Sequence, residues 1–143
     1  MQVASKLGII ETHLALKSSV KDVLVHVELL QLGIKQNLAE IDGLYLGHDK
    51  DQNAILIPVE AKIRDDIYPS QVYAQAEALC KMRGLQGHNI RRIIPMAIKV
   101  IGPSTVYVVE FPPVDFSCES TSQQEPYSES IYELIPEIKG ISV

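Results

Sequence analysis

The residues best suited to chemistry lie in the middle of the chain. Residues 38–46 (LAEIDGLYL) and 54–63 (AILIPVEAKI) each read as a β-strand, and the polar run 47–53 (GHDKDQN) reads as the hairpin loop between them. A loop centred near residues 50–51 pairs positions whose numbers sum to about 100–102, which sets Asp42 opposite Pro58 to Glu60. Side chains alternate between the two faces of a strand. Glu40 and Asp42 therefore share one face, and so do Glu60 and Lys62. Ile55, Ile57, Val59, Ala61 and Ile63 are left as an apolar face for the core. Asp42 and Glu60 then converge with Cβ atoms ~5 Å apart.

Two facing carboxylates repel unless a proton, a lysine or a cation compensates them. Lys62 is one candidate. A hard divalent cation is another, since Mg²⁺ takes one or two carboxylates together with waters and phosphate oxygens. Such a set suits metal-assisted phosphodiester hydrolysis. The carboxylates hold a cation that polarises a phosphoryl oxygen and acidifies a water. The lysine orients that water or stabilises charge, or takes the proton if its pKa is low enough. The plain alternative is a solvated sheet face with a cross-strand salt bridge worth ~0–1 kcal/mol.

The elements around this hairpin are less sharply marked. Apolar Ile10, Leu14 and Val20 give residues 9–23 a short helical face. Val23 to Leu30 reads as a strand, with Gly33 as a turn or bulge. After Tyr68-Pro69-Ser70 comes a helix from Gln71 to Met82, with Ser70 as its cap and Gly84 just past its end. Strands follow at 90–101, interrupted by Pro95, and at 105–111, with Gly102-Pro103-Ser104 as the turn. Residues 115–130 read as an exposed acidic loop, and 131–135 as a closing strand or a short helix. The order predicts one α/β domain over 1–143: a central mixed sheet of about five strands flanked by helices.

Composition narrows the function classes. At 143 residues, 46% apolar and 22% charged, the chain has the make-up of a folded domain and no apolar run long enough for a membrane span. The net charge of −5 arises entirely from Asp115 onward, leaving residues 1–114 neutral. That balance is unlike a non-specific nucleic-acid binder, although it permits a local basic groove. Two cysteines, Cys80 and Cys118, are too few for a disulfide framework, so we read a reducing, cytoplasmic setting. Cys80 is expected in the core, His13 and His26 as half-buried structural residues, and Arg91 and Arg92 as solvated or phosphate-contacting.

The acid-bearing strand with Asp42 and the segment Pro58-Val59-Glu60-Ala61-Lys62, with seventeen residues between Asp42 and Glu60, resemble the PD-(D/E)XK nuclease superfamily. The resemblance covers roughly residues 25–111. It implies a restriction-endonuclease-like fold and a DNA endonuclease that uses Mg²⁺ or Mn²⁺. On it, Asp42 and Glu60 are metal ligands, the carbonyl of Ala61 is a further ligand, and Lys62 is the catalytic lysine. Gln71 and Gln75, four apart on the following helix, are candidates to orient the site. Glu11, Glu28 or Glu40 would be the additional acid that many members carry. The segment 132–136 (YELIP) is similar to the ending of bacterial domains of this kind, which often form the C-terminal part of a longer chain. DNA is the implied partner, and a homodimer is expected because cutting two strands needs two sites. The superfamily also has inactive members, so a non-catalytic DNA-binding or protein-interaction module is the alternative.

Overall fold

In a computed structural model of the protein, described over residues 8–36, 39–82, 89–115 and 125–135, the hairpin becomes the centre of a larger sheet. Strands β2 (Ala39–Asp49) and β3 (Ala54–Lys62) pair antiparallel, with Gly43 facing Val59, Tyr45 facing Ile57 and Gly47 facing Ile55. The loop is shorter than the sequence suggests. Asp49 Oδ1 accepts the N–H groups of Asp51 and Asn53, each at 2.9 Å, and Gln52 takes a positive φ of 64°. This side-chain turn closes the hairpin four residues on. Gly47 thus lies inside β2. A Cβ there would come within 2.6 Å of Leu24 Cδ1 and 3.4 Å of His26 O, so a larger residue would make the Leu24 side chain turn away.

Leu24 opens the neighbouring strand β1 (Leu24–Gln36), which runs straight through Gly33; its irregularities fall instead at Leu24–His26 and Leu29–Gln31. Beyond β3 come β4 (Ile90–Ile93), β5 (Met96–Gly102), β6 (Thr105–Glu110), β7 (Val114–Asp115) and β8 (Ser128–Glu133). The main path of the sheet is β1-β2-β3-β5-β6-β8, with β4 beside the first half of β3 and β7 beside β4. The sheet therefore holds eight described strands where about five are expected. Part of the excess comes at Ile94-Pro95. Proline has no N–H to give a ladder, and the chain splits there: Ile94 N–H bonds Leu56 O at 2.8 Å while Pro95 O accepts from Phe111 N–H at 2.9 Å. The segment after Tyr127 resolves as the strand β8, so Ser128 to Ser130 leave the expected loop. Residues 116–124 of that loop lie outside the described residues.

β3 runs parallel to β4 and β5, and the other pairings are antiparallel, so the sheet is mixed. Parallel neighbours need a crossover, and helix α2 (Pro69–Cys80) supplies it. Pro69 occupies its first turn, where a missing N–H costs nothing. Tyr68 is the N-cap and makes no side-chain cap bond, so the expected cap at Ser70 is displaced into the helix. Helix α1 is Ile9–Leu16 rather than 9–23. It stops early because Lys17 N–H closes on His13 O at 2.8 Å while Ser19 N–H leaves for the carboxylate of Glu110 at 3.0 Å.

Two apolar layers sandwich the sheet. Ile9, Ile10 and Leu14 of α1 pack on Ile55, Ile57 and Val59, while Val72, Ala76 and Leu79 of α2 pack with Leu44, Leu56 and Ala97 on the other face. β3 is thus buried on both faces, and only its last three residues are partly open. Ile63, assigned from the sequence to the core face, lies past the strand end and is 58% exposed.

Candidate active site

The partly open end of β3 carries Glu60, Ala61 and Lys62. It is also the carboxyl end of a parallel strand pair, since Glu60 is level with Ala97 and Lys62 with Lys99 of β5. Open α/β sheets place ligands at such ends, where loops diverge.

The last β2–β3 ladder pair is Gly43–Val59. One residue further, where the ladder stops, Asp42 Oδ2 accepts the N–H of Ala61 at 2.8 Å. The carboxylate thereby takes the place of a strand carbonyl and is fixed beside Glu60. Glu60 is held from two sides. Lys62 Nζ stands 3.3 Å from its Oε1, and Gln75 Nε2 of α2 donates to its Oε2. The Glu60 and Lys62 side chains are only 14% and 17% exposed. Burial, and then the neighbouring charge of Asp42, raise the Glu60 carboxyl above the usual range; Lys62 works against both and Glu40 adds a smaller push upward.

Gln75 is 2% exposed in a helix face otherwise made of Val72, Ala76 and Leu79. Its Oε1 has no hydrogen-bond partner. A buried amide with an unmet acceptor costs about 1–3 kcal/mol, which asks for a reason beyond packing. Among the described residues no three His, Cys, Asp or Glu side chains gather closely enough to hold a metal ion. The donor set is instead the two carboxylates of Asp42 and Glu60, with Gln75 holding the second. Both are hard oxygen donors of the kind Mg²⁺ accepts together with waters and phosphate oxygens, so the residues fit such a cation.

The structure thus joins Asp42, Glu60, Lys62 and Gln75, and separates other candidates. Gln71 is exposed in the first turn of α2. Glu40 is exposed and reaches Glu60 only through its charge. Ala61 gives its N–H to Asp42, which leaves its carbonyl, the expected ligand, uncommitted by that bond. Glu11 sits on α1, across the sheet from Gln75. Glu28 is half exposed and stands 3.6 Å from His26 Nε2. His26 is also exposed, with its ring stacked 6.3 Å from that of His48, so it is not the half-buried residue expected. Arg91 and Arg92 are exposed on β4, at the far end of β3 from Glu60. Cys80 is buried, as expected, and disulfide-bonded. Gly84, expected just past the end of α2, lies outside the described residues. No helix among the described residues is long and apolar enough to cross a membrane.

Comparison with protein-family models, with curated proteins and with solved structures returned no match.

Two predictions arise here. Gln75→Leu keeps the volume, removes the unsatisfied amide and leaves Glu60 without one of its holders. Its unfolding midpoint in urea is expected to match or exceed that of the parent, while divalent-cation affinity falls about tenfold, the lower end for losing a ligand's supporting hydrogen bond. Equal cation affinity in the two proteins would remove Gln75 from the site.

The second concerns pH. The Glu60 carboxyl binds its proton more tightly when folded than when unfolded. Its contribution is fully present below the unfolded pKa and is lost as pH rises through the folded one. Glu60→Gln removes that titration. The stability difference between variant and parent is expected to shift in favour of the variant as pH rises upward from the ordinary glutamate range in metal-free urea titrations. A difference that does not change with pH would show that Glu60 has no such strain.

Proposed function

We propose that this chain is a divalent-metal-dependent endonuclease that hydrolyses DNA phosphodiester bonds on a restriction-endonuclease-like version of its α/β fold, as in the PD-(D/E)XK superfamily. The observation that carries the reading is Glu60. A partly buried carboxylate with raised proton affinity stands beside a second carboxylate and is gripped by a lysine and a buried glutamine. Groups this costly to ionise, set at the end of parallel strands, cluster at functional sites.

Asp42 and Glu60 would hold Mg²⁺ or Mn²⁺, with Gln75 positioning Glu60. When bound, the cation supplies Lewis acidity at a phosphoryl oxygen and acidifies a water. Lys62 Nζ then has two tasks. It donates N–H to an anionic phosphoryl oxygen as charge builds there, and it orients the water that attacks. The Ala61 N–H keeps the Asp42 carboxylate from turning away.

A second reading rests on the same contacts. Both oxygens of Glu60 are already met by Lys62 and Gln75, which a non-catalytic DNA-binding or interaction module would need no metal to maintain. Calorimetric titration with Mn²⁺ or Mg²⁺ separates the two. Binding in the parent that disappears in the Asp42→Asn, Glu60→Gln double variant, with nicking of plasmid DNA under the same cation, supports the nuclease. A protein that neither binds the cation nor cuts DNA supports the module.

A further inference from the structure

Glu60, Lys62 and the row of side chains beside them on the α2 face do not end at β3. Lys62 is level with Lys99 on β5, and Lys99 is level with Tyr107 on β6. Adjacent strands lie about 4.8 Å apart, so the row crosses the sheet in two steps. Lys99 and Tyr107 form the floor of an open cavity of about 660 Å³, walled by Tyr68, Pro69, Ile101 and Phe111. That volume falls within the roughly 300–1,000 Å³ of sites that take small organic groups.

The lining is specific in character. Tyr68 is 52% exposed and, although it is the N-cap of α2, its side chain makes no capping bond. Tyr107 donates its hydroxyl to Glu129 at 2.6 Å, which pins the ring from its far end. Lys99 is held 3.3 Å from Asp66 at the cavity edge. Aromatic and proline walls match a flat π-system, and the charge of the lining is the Lys99–Asp66 pair, which leaves the anion to the neighbouring Glu60 and Lys62 site.

We infer that this cavity receives a nucleobase of the DNA strand being cut, next to the phosphate held at Glu60 and Lys62. The inference rests on the nuclease reading and narrows its substrate. A base stacked in a duplex cannot present its face to tyrosines, so the base must be unpaired or turned out of the stack. Base-on-aromatic stacking tolerates any base and is strong enough for a 10- to 100-fold preference, roughly. The preferred substrate is therefore DNA with an unpaired nucleotide beside the scissile bond: an overhang, a flap or a mismatch.

The test uses the parent protein with Mg²⁺ and two duplexes, one blunt and one with a short single-stranded overhang. Each carries a photoreactive 5-iodouracil, at a paired position in the first and at the overhang position nearest the duplex in the second. Expected are cleavage of the overhang substrate about 10- to 100-fold faster and light-driven adducts on Tyr68 or Tyr107 from the unpaired position alone. Tyr68→Ala should lower the overhang rate toward that of blunt DNA. Cleavage without preference, and with adducts elsewhere or absent, overturns the cavity assignment and leaves the nuclease standing. Adducts on the two tyrosines without cleavage keep the cavity as a base site and overturn the nuclease. Neither cleavage nor adducts overturns both.

Discussion

Lys62→Ala is expected to abolish DNA cleavage while leaving the fold intact and cation binding undiminished. The argument follows from where the ammonium stands. Its Nζ is 3.3 Å from Glu60 Oε1, so in the absence of DNA it competes with any cation for that carboxylate. Removing a competing positive charge cannot weaken divalent binding at Asp42 and Glu60 on electrostatic grounds. It also frees the Glu60 carboxyl to rise further, since Lys62 is what holds it down, so the gain in cation affinity should be clearest above neutral pH. The loss falls on the reaction. Removing one preorganised donor to a developing anion typically costs about 10²–10³ in rate, and Lys62 also orients the water. The fold should tolerate the change because the side chain lies at the end of β3 and Glu60, whose carboxyl is already raised, keeps Gln75 as a donor. Calorimetry, urea unfolding and plasmid nicking on the same preparation check all three statements. Cleavage within about threefold of the parent would show that Lys62 is only the counter-ion of Glu60.

The central hairpin was legible in the sequence because two independent signals agree there. Alternation over 54–63 and a turn rich in Asp and Asn fix one register, and the observed pairing of Gly43 with Val59 lies within the expected range. Asp42, Glu60 and Lys62 followed from that register. Gln75 was legible only as one of two. Gln71 and Gln75 are four residues apart, and spacing alone cannot say which lies over the sheet. The tie is broken by Pro69, which starts α2 earlier than expected and puts Gln71 in the exposed first turn. The bond of the Ala61 N–H to Asp42 was not legible, because it exists only where the β2–β3 ladder stops. Helix α1 was overextended for a similar reason: the group that ends it, Glu110, is 91 residues from Ser19. One local signal did point to Glu110. It is an acid set directly between apolar runs, with Val108, Val109 and Phe111 all buried around it.

Glu110→Ala is expected to cost about 3–5 kcal/mol of stability, the usual range for breaking a buried charged network from one side. Glu110 and His13 are both fully buried. Glu110 Oε2 accepts from the N–H and hydroxyl of Ser19 at 3.0 and 2.8 Å, and Oε1 stands 3.4 Å from His13 Nε2. The imidazole in turn meets Ser130 Oγ at 2.7 Å through Nδ1 and Ser128 Oγ at 3.1 Å through Nε2. Side chains from α1, the turn after it, the end of β6 and β8 therefore depend on one carboxylate. Alanine strands the Ser19 donors and leaves His13 without its acid in a site that water does not reach. Glu110→Gln keeps an acceptor for Ser19 and should cost less than alanine. A coupling above about 1 kcal/mol between His13→Ala and Glu110→Ala in a double-mutant cycle would establish the pair as a unit, and an alanine cost below about 1 kcal/mol would dissolve it. The network lies on the α1 face and Glu60 on the α2 face, separated by the sheet. Cation affinity per folded molecule should therefore be the same in Glu110→Gln as in the parent. That independence assigns the first buried acid to holding the fold together and the second to what the fold carries.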